Sequence, residues 1–479
     1  MPGFTPGRRY QPPFMPFKRT SFKKRAFAKI ELAIKGPLFG CRMCGNCLLQ
    51  ETAFICPMEC PKGLRNGPCG GSTPEKCYVD ESRPCIWYKI YERSFQLGRE
   101  AILLEVLPPM DWDKAGMDAW SDVFIQAKNI GVANIISGLA KREAGSASRT
   151  LDSIFRPVRQ PDWWQGDSLY HAPKYTEPVS ELERRLKAGE FVVTTEVSPP
   201  LSTDTGKLKQ NIELVKPCVA AINFMDSPSA IPRMSSWACS KLVLELGADA
   251  VMQIAARDRT RVGLQSEVMG AAALGVQNIL CLTGDSMVLG PAPRGRMDIV
   301  DLDGIQMLWI LRRMRDEGKY LDGREIKSPP QYFLGAAASP FASNMKFQAL
   351  REQKKVNAGA QFFQTNVVFD ADAVDEWLNE IARRDILDKV YILIGITPLK
   401  SYKTALYMNN KIPGVVVPEN ILKRMEDAKN KGNEKDEGVQ ITLELIEKIK
   451  TRQAVHGIHL MAVGWEEIVP RIMEEAGLI

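Results

Sequence analysis

The 479-residue chain reads as an α/β protein: a (β/α)8 barrel preceded by a small cysteine-rich, metal-binding α+β domain. Three observations predict this. From about residue 176, eight short apolar runs alternate with helix-patterned stretches over roughly 270 residues, the span of one such barrel. Eight of the eleven cysteines fall between Cys41 and Cys85. No G-x-G-x-x-G and no G-x-x-x-x-G-K-[ST] occurs, which removes the main support for Rossmann and P-loop folds.

Taken in order, residues 1–35 are basic and proline-rich without sustained periodicity, and read as a flexible arm. Residues 1–40 hold nine Lys/Arg against one acid, Glu31, so the net +6 belongs to this end and the remaining body sums to −2. A near-neutral body excludes a nucleic-acid-binding surface as its main business. Residues 36–175 form the cysteine-rich domain and its linker, with Leu103–Leu107 read as a strand and 140–150 as an exposed loop. The cysteine stretch is rich in Pro and Gly and poor in periodic apolar residues, so metal is expected to hold it together. No apolar run is long enough to span a membrane and no signal peptide opens the chain. The chain reads as cytoplasmic and reduced, which favours metal ligands over disulfides.

Residues 176–479 are the barrel. Its strands read as 191–197, 219–224, 249–254, 277–284, 331–336, 360–366, 389–396 and 455–462, with helices over Thr205–Val215, Met234–Leu246 and Ile299–Glu317 among those between them. In the last, Leu302, Ile305, Leu308, Trp309 and Arg312 recur at helical spacing. The active site of such a barrel lies at the C-terminal strand ends. Those ends carry Glu196, Asn223, Gln253, Thr283-Gly284-Asp285, Gln364-Thr365-Asn366, Tyr402 beyond strand 7, and His459. Histidine is scarce, three in all, so acid–base work is expected of carboxylates. Glu196 leads, because a carboxyl in an apolar strand is partly desolvated and can hold a proton near neutral pH. Its alternative is a structural ion pair. Asp285 reads equally as a helix cap, and Lys355 as a solvated helix residue.

Together these segments resemble the methylenetetrahydrofolate reductase family. The carriers are VVTTEVSPP (192–200), LTGD (282–285), KKVNAGAQFFQTN (354–366) and IGITPLKSY (394–402), in family order. Residues 30–175 resemble the zinc- or iron–sulfur-associated partner found with these reductases in anaerobes, here joined ahead of the barrel. The resemblance implies a flavin whose N5 delivers hydride to 5,10-methylenetetrahydrofolate after ring opening to an iminium cation. It makes Glu196 the acid for N10 and Asp285 the negative charge beside that cation. Asn223, Gln253, Thr283, Asp285 and Lys355 fall at flavin-contacting positions, and Asn366 and Tyr402 at folate-contacting ones. Thr283 and Gln253 stand where better-known members carry Arg and His, and an Arg near Trp465 is missing too. That weakens the case for a pyrophosphate and leaves FAD and FMN both open.

The cysteines are spaced C-x2-C-x2-C-x8-C-x3-C-x8-C-x7-C-x7-C: Cys41, Cys44, Cys47, Cys56, Cys60, Cys69, Cys77 and Cys85. The opening triplet resembles a ferredoxin-type start, with Cys56-Pro57 or Cys60-Pro61 as a fourth ligand. A 4Fe-4S cluster is expected, feeding electrons towards the flavin from NADH or a ferredoxin-like donor, with zinc as the alternative. Homo- and hetero-oligomers are both open. Two rival functions stand beside the reductase: a pterin-binding methyltransferase working with a corrinoid protein, and a non-catalytic complex scaffold with structural zinc.

Overall fold

The computed structural model describes residues 14–131, 156, 159–287, 290–291, 300–341, 343–412 and 414–479. The loop read at 140–150 and the first thirteen residues of the arm lie outside them. Three of the described helices lie in the segment ahead of the barrel's first helix: α1 (Phe22–Phe39), α2 (Ile86–Gln96) and α3 (Trp120–Ile130). The barrel strands are β1 (Val192–Glu196), β2 (Ala221–Phe224), β3 (Ala250–Ala255), β4 (Asn278–Leu282), β5 (Phe333–Ala338), β6 (Phe362–Val367), β7 (Tyr391–Ile396) and β8 (Gly457–Leu460). They pair in parallel and in sequence order, and β8 closes on β1. The described helices of this part are α4 (Glu181–Lys187), α5 (Gly206–Val215), α6 (Ser236–Glu245), α7 (Arg261–Ala273), α8 (Gly304–Asp316), α9 (Met345–Ala358), α10 (Ala371–Ala382), α11 (Tyr402–Lys411), α12 (Glu419–Lys431), α13 (Glu434–Lys450) and α14 (Val469–Glu475). None of the described helices is long and apolar enough to cross a membrane.

Strand alternation decides what fills the barrel. One parity (Ile222, Met252, Ile279, Leu334, Ile392, Ile458) joins the large core shared with the outer helices. The other parity packs Val192, Ala221, Val251, Leu280, Phe333, Phe362 and Leu393 into the barrel's lower end, closed by Leu182 and Leu186 of α4. Phe333 and Phe362 stack there at 4.8 Å. A side chain at residue 335 would lie 2.3 Å from the Phe362 ring, which is why β5 carries Gly335.

Two expectations are corrected. Leu103–Leu107 is not a strand; Glu100–Leu104 forms a 3-10 turn, because no neighbouring strand edge receives it. The basic arm is helical from Phe22 onward. Buried Glu31 anchors it by accepting from the Ala119 and Trp120 amides at the start of α3, and Lys35 pairs with Glu31. The cysteine segment builds no core entirely its own. Cys60, Leu64, Cys69, Cys85, Trp87, Tyr88 and Tyr91 pack with Phe347 and Leu350 of α9, so it completes its apolar cluster on the barrel's own helix.

Candidate active site

Moving up the barrel interior, the inward residues turn polar. On β1 the sequence Val192, Thr194, Glu196 passes from the apolar lower layer to the mouth. Glu196 ends the strand at 7% exposure. Gln253 Nε2 of β3 donates to Glu196 Oε1 at 2.7 Å, and His459 Nε2 of β8 lies 3.4 Å from the same oxygen. The other His459 nitrogen, Nδ1, is 2.9 Å from Thr194 Oγ1. Gln364 Nε2 of β6 donates to Thr194 Oγ1 and Asn223 Oδ1, while Asn223 Nδ2 donates to Gln364 Oε1 at 2.6 Å. Six side chains from five strands thus form one buried network, with its single carboxylate at the top. Satisfied networks of this kind fix side-chain positions.

The loop after β4 supplies Asp285. Gly284 there adopts φ +83, a conformation that favours glycine. Asp285 Oδ2 accepts from the Ser229 amide at 2.8 Å, and Oδ1 accepts from the hydroxyl of Tyr78 at 3.2 Å. Tyr78 belongs to the cysteine segment. So does Lys62, whose Nζ donates to the Gly284 carbonyl at 2.7 Å. Asn66 Nδ2 and the Arg65 amide reach Asp303, which caps α8 in a capping box with Gln306. The cysteine segment therefore sits on the barrel mouth beside the ends of β4 and β5.

Between them lies a cavity of about 430 Å³ lined by Asn66, Gly67, Thr283, Gly304, Arg351 and Lys355. Lys355 is 6% exposed, not the solvated lysine the helix pattern suggests, and donates to the Ala337 carbonyl. Burial, reinforced by neighbouring Arg351, holds its pKa well below the usual lysine range. Half-buried Arg351 lines the same cavity, and its guanidinium is a suitable donor to an anionic group such as a phosphate. Thr283 Oγ1 accepts from the Gly304 amide at the start of α8.

The remaining sequence-derived candidates separate. Gln253 and Asn223 face the polar network, where Gln253 holds Glu196 and Asn223 is tied to Gln364. Asn366 ends β6 near Gly414. The ring of Tyr402 lies beneath Lys429 of α12, and its amide donates to Glu434 at the start of α13. Sequence reasoning did not select Thr194, Arg351, Lys62 or Tyr78. Strand parity marks the first as inward; nothing local marks the others.

The eight clustered cysteines line two cavities. Cys41, Cys44, Cys47 and Cys56 surround one of about 440 Å³, and Cys60, Cys69, Cys77 and Cys85 surround one of about 310 Å³. Burial pushes the Cys44 thiol up to about 11, and burial with neighbouring thiols pushes Cys56 and Cys60 up to about 12. Cys69 moves down: burial opposes its thiolate, but Lys62 and the Ser72 hydroxyl outweigh it. Among the described residues, no three His, Cys, Asp or Glu side chains converge closely enough to grip one metal ion.

The family model described as methylenetetrahydrofolate reductase matches residues 181–477, and one described as the C-terminal part of methylene-tetrahydrofolate reductase matches 21–113. A Caenorhabditis elegans protein named "Probable methylenetetrahydrofolate reductase (NADPH)" is 23% identical over 48% of this chain and 33% of its own length. "Methylenetetrahydrofolate reductase 2" of Saccharomyces cerevisiae is 21% identical over 49% of this chain and 37% of its own. The chain thus spans only about a third of the length of these curated relatives. A solved protein from Clostridium thermocellum, described as binding two copies of 5-methyl-5,6,7,8-tetrahydrofolic acid, aligns over 62% of this chain and 100% of its own at 15% identity, with a TM-score of 0.46. Matched by its model over more than half its length, from Glu181 to Gly477, the chain belongs to the methylenetetrahydrofolate reductase family.

Proposed function

We propose that this protein reduces 5,10-methylenetetrahydrofolate to 5-methyltetrahydrofolate with a flavin at the barrel mouth, and that electrons reach the flavin through iron–sulfur clusters in the cysteine segment. In this reading residues 1–35, 36–175 and 176–479 are the arm, the metal-binding domain and the flavin barrel. The observation that carries it is the Glu196 carboxyl, held on one oxygen by Gln253 and His459 on the same rim as Asp285. A reduced flavin, when bound, supplies the hydride. At the cavity beneath Asn66 and Gly67, Arg351 and Lys355 are the residues that would meet the phosphate of FMN or the pyrophosphate of FAD.

The chain's own residues do the rest. Glu196, anchored through Oε1, carries on Oε2 the proton delivered to N10 as the C–N10 bond breaks. Asp285 keeps a negative charge near the cationic carbon–nitrogen centre that results, and its two hydrogen bonds fix where that charge lies. In this reading Asn366, next to last in β6, contacts the pterin. The first four and the last four cysteines would each hold one cluster at the cavity they line, with zinc as the alternative.

Anaerobically purified protein is expected to carry flavin and to turn over methylenetetrahydrofolate. Glu196→Gln should bind the same flavin and lose about 10²–10⁴-fold in turnover, the usual contribution of a positioned acid. A colourless, flavin-free wild type, or full turnover by the variant, would overturn the reading.

A further inference from the structure

We infer that Tyr78, on the cysteine segment, is a positioning residue for Asp285, so that the second thiolate set and the barrel site are built as one unit. This rests on the role proposed for Asp285.

Asp285 has two carboxylate oxygens and each is held by a different part of the chain. The barrel's Ser229 amide takes Oδ2; Tyr78 takes Oδ1. The chemical type of each donor matters. A peptide N–H and a phenol are neutral, so they orient the carboxylate without cancelling its charge. Lys62 comes close enough to have served instead, but its ammonium is committed elsewhere. It donates to the Gly284 carbonyl, one residue before Asp285, and stands 5.5 Å from the Tyr78 ring centre. An ammonium bonded directly to Asp285 would neutralise the charge a cationic intermediate needs.

The Tyr78 position is itself fixed from the thiolate side. Its amide donates to Ser72 Oγ at 3.0 Å, and that hydroxyl lies 3.2 Å from Cys69 Sγ. Cys77 immediately precedes Tyr78 and lines the second cysteine cavity, and Cys60 is two residues before Lys62. Three of the four cysteines around that cavity are therefore within two residues, or one hydroxyl, of a group that touches the 284–285 loop.

The test is a double-mutant cycle on the holoenzyme, using Tyr78→Phe, Asp285→Asn and the pair. Tyr78→Phe should keep flavin and iron contents and KM at wild-type levels while kcat falls about tenfold or more, as expected for loss of a hydrogen bond to a charged group. Because Tyr78 acts through Asp285, the double variant should be no slower than Asp285→Asn alone. Additive losses, an unchanged kcat, or loss of iron or flavin from Tyr78→Phe would overturn the inference. If wild type fails to reduce methylenetetrahydrofolate, the functional reading falls. The same cycle read by thermal unfolding then decides the positioning claim: strictly additive shifts in Tm would refute it.

Discussion

Lys354 shows how much a single residue can be asked to bear. It is buried on α9 beside Lys355, and burial pulls its pKa down to about 7, with Asp303 and Glu105 opposing. In the unfolded chain a lysine titrates near 10.4. Below pH 7 the native state therefore carries the full penalty of a buried ammonium, and the penalty disappears as pH rises towards 10.4. Lys354→Met, of similar shape, should stabilise the protein by on the order of 3 kcal/mol at pH 7. Thermal unfolding across pH 7–10 checks this: the gain over wild type should shrink steadily with rising pH. At this same scale the site was only partly legible. Glu196 and Asp285 stand at strand ends, which local pattern identifies. Tyr78 is 207 residues from Asp285 and nothing around it hints at the contact. Lys355 misled, because a helical lysine is normally solvated and only tertiary packing buries this one.

Among the elements, α9 works hardest. Its outer end sends Phe347 into the cysteine segment, with ring centres 5.5 Å from Tyr91 and 5.1 Å from Phe95. Its inner end places Arg351 and Lys355 in the mouth cavity. Phe347→Ala should weaken the joint by about 3–5 kcal/mol, the usual loss for a buried Phe. Limited proteolysis should then release the N-terminal segment well before the barrel is cut; simultaneous digestion of both would argue against a discrete joint. The barrel strands were readable because each is a short β-rich run between helices, and their observed bounds differ from the expected ones by a few residues at most. The 3-10 turn at Glu100–Leu104 was not, since a short apolar run looks the same whether or not a neighbouring edge exists to pair with it. The helix α1 was hidden by its charge: Glu31 and Lys35 read as solvated and are in fact its anchor.

For the molecule as a whole, the spacing of the clustered cysteines raised the expectation of metal, while their division into two sets did not follow from it. Four line each of two cavities, in sequence order, first four and last four. Under the proposed function, Cys44→Ser and Cys69→Ser should each lower the iron content by about half, and the double variant should abolish it. Zinc without iron, or complete loss of iron from either single variant, would refute two independent clusters. The net charge likewise needed the fold for its meaning. The positive end is drawn in by a buried acid and ends against the first set of thiols, where Lys35 Nζ lies 3.4 Å from Cys47 Sγ.

The shared cluster of Cys60, Cys69, Cys85, Phe347 and Leu350 also sets a clock. The ribosome makes the cysteines first and the helix that covers them some 260 residues later. At about 5–20 residues per second, the thiols wait roughly 13–50 s in the open before that helix exists. Under the proposed function, cluster delivery during synthesis has that window, and a chain that finishes without it must close over empty sulfurs.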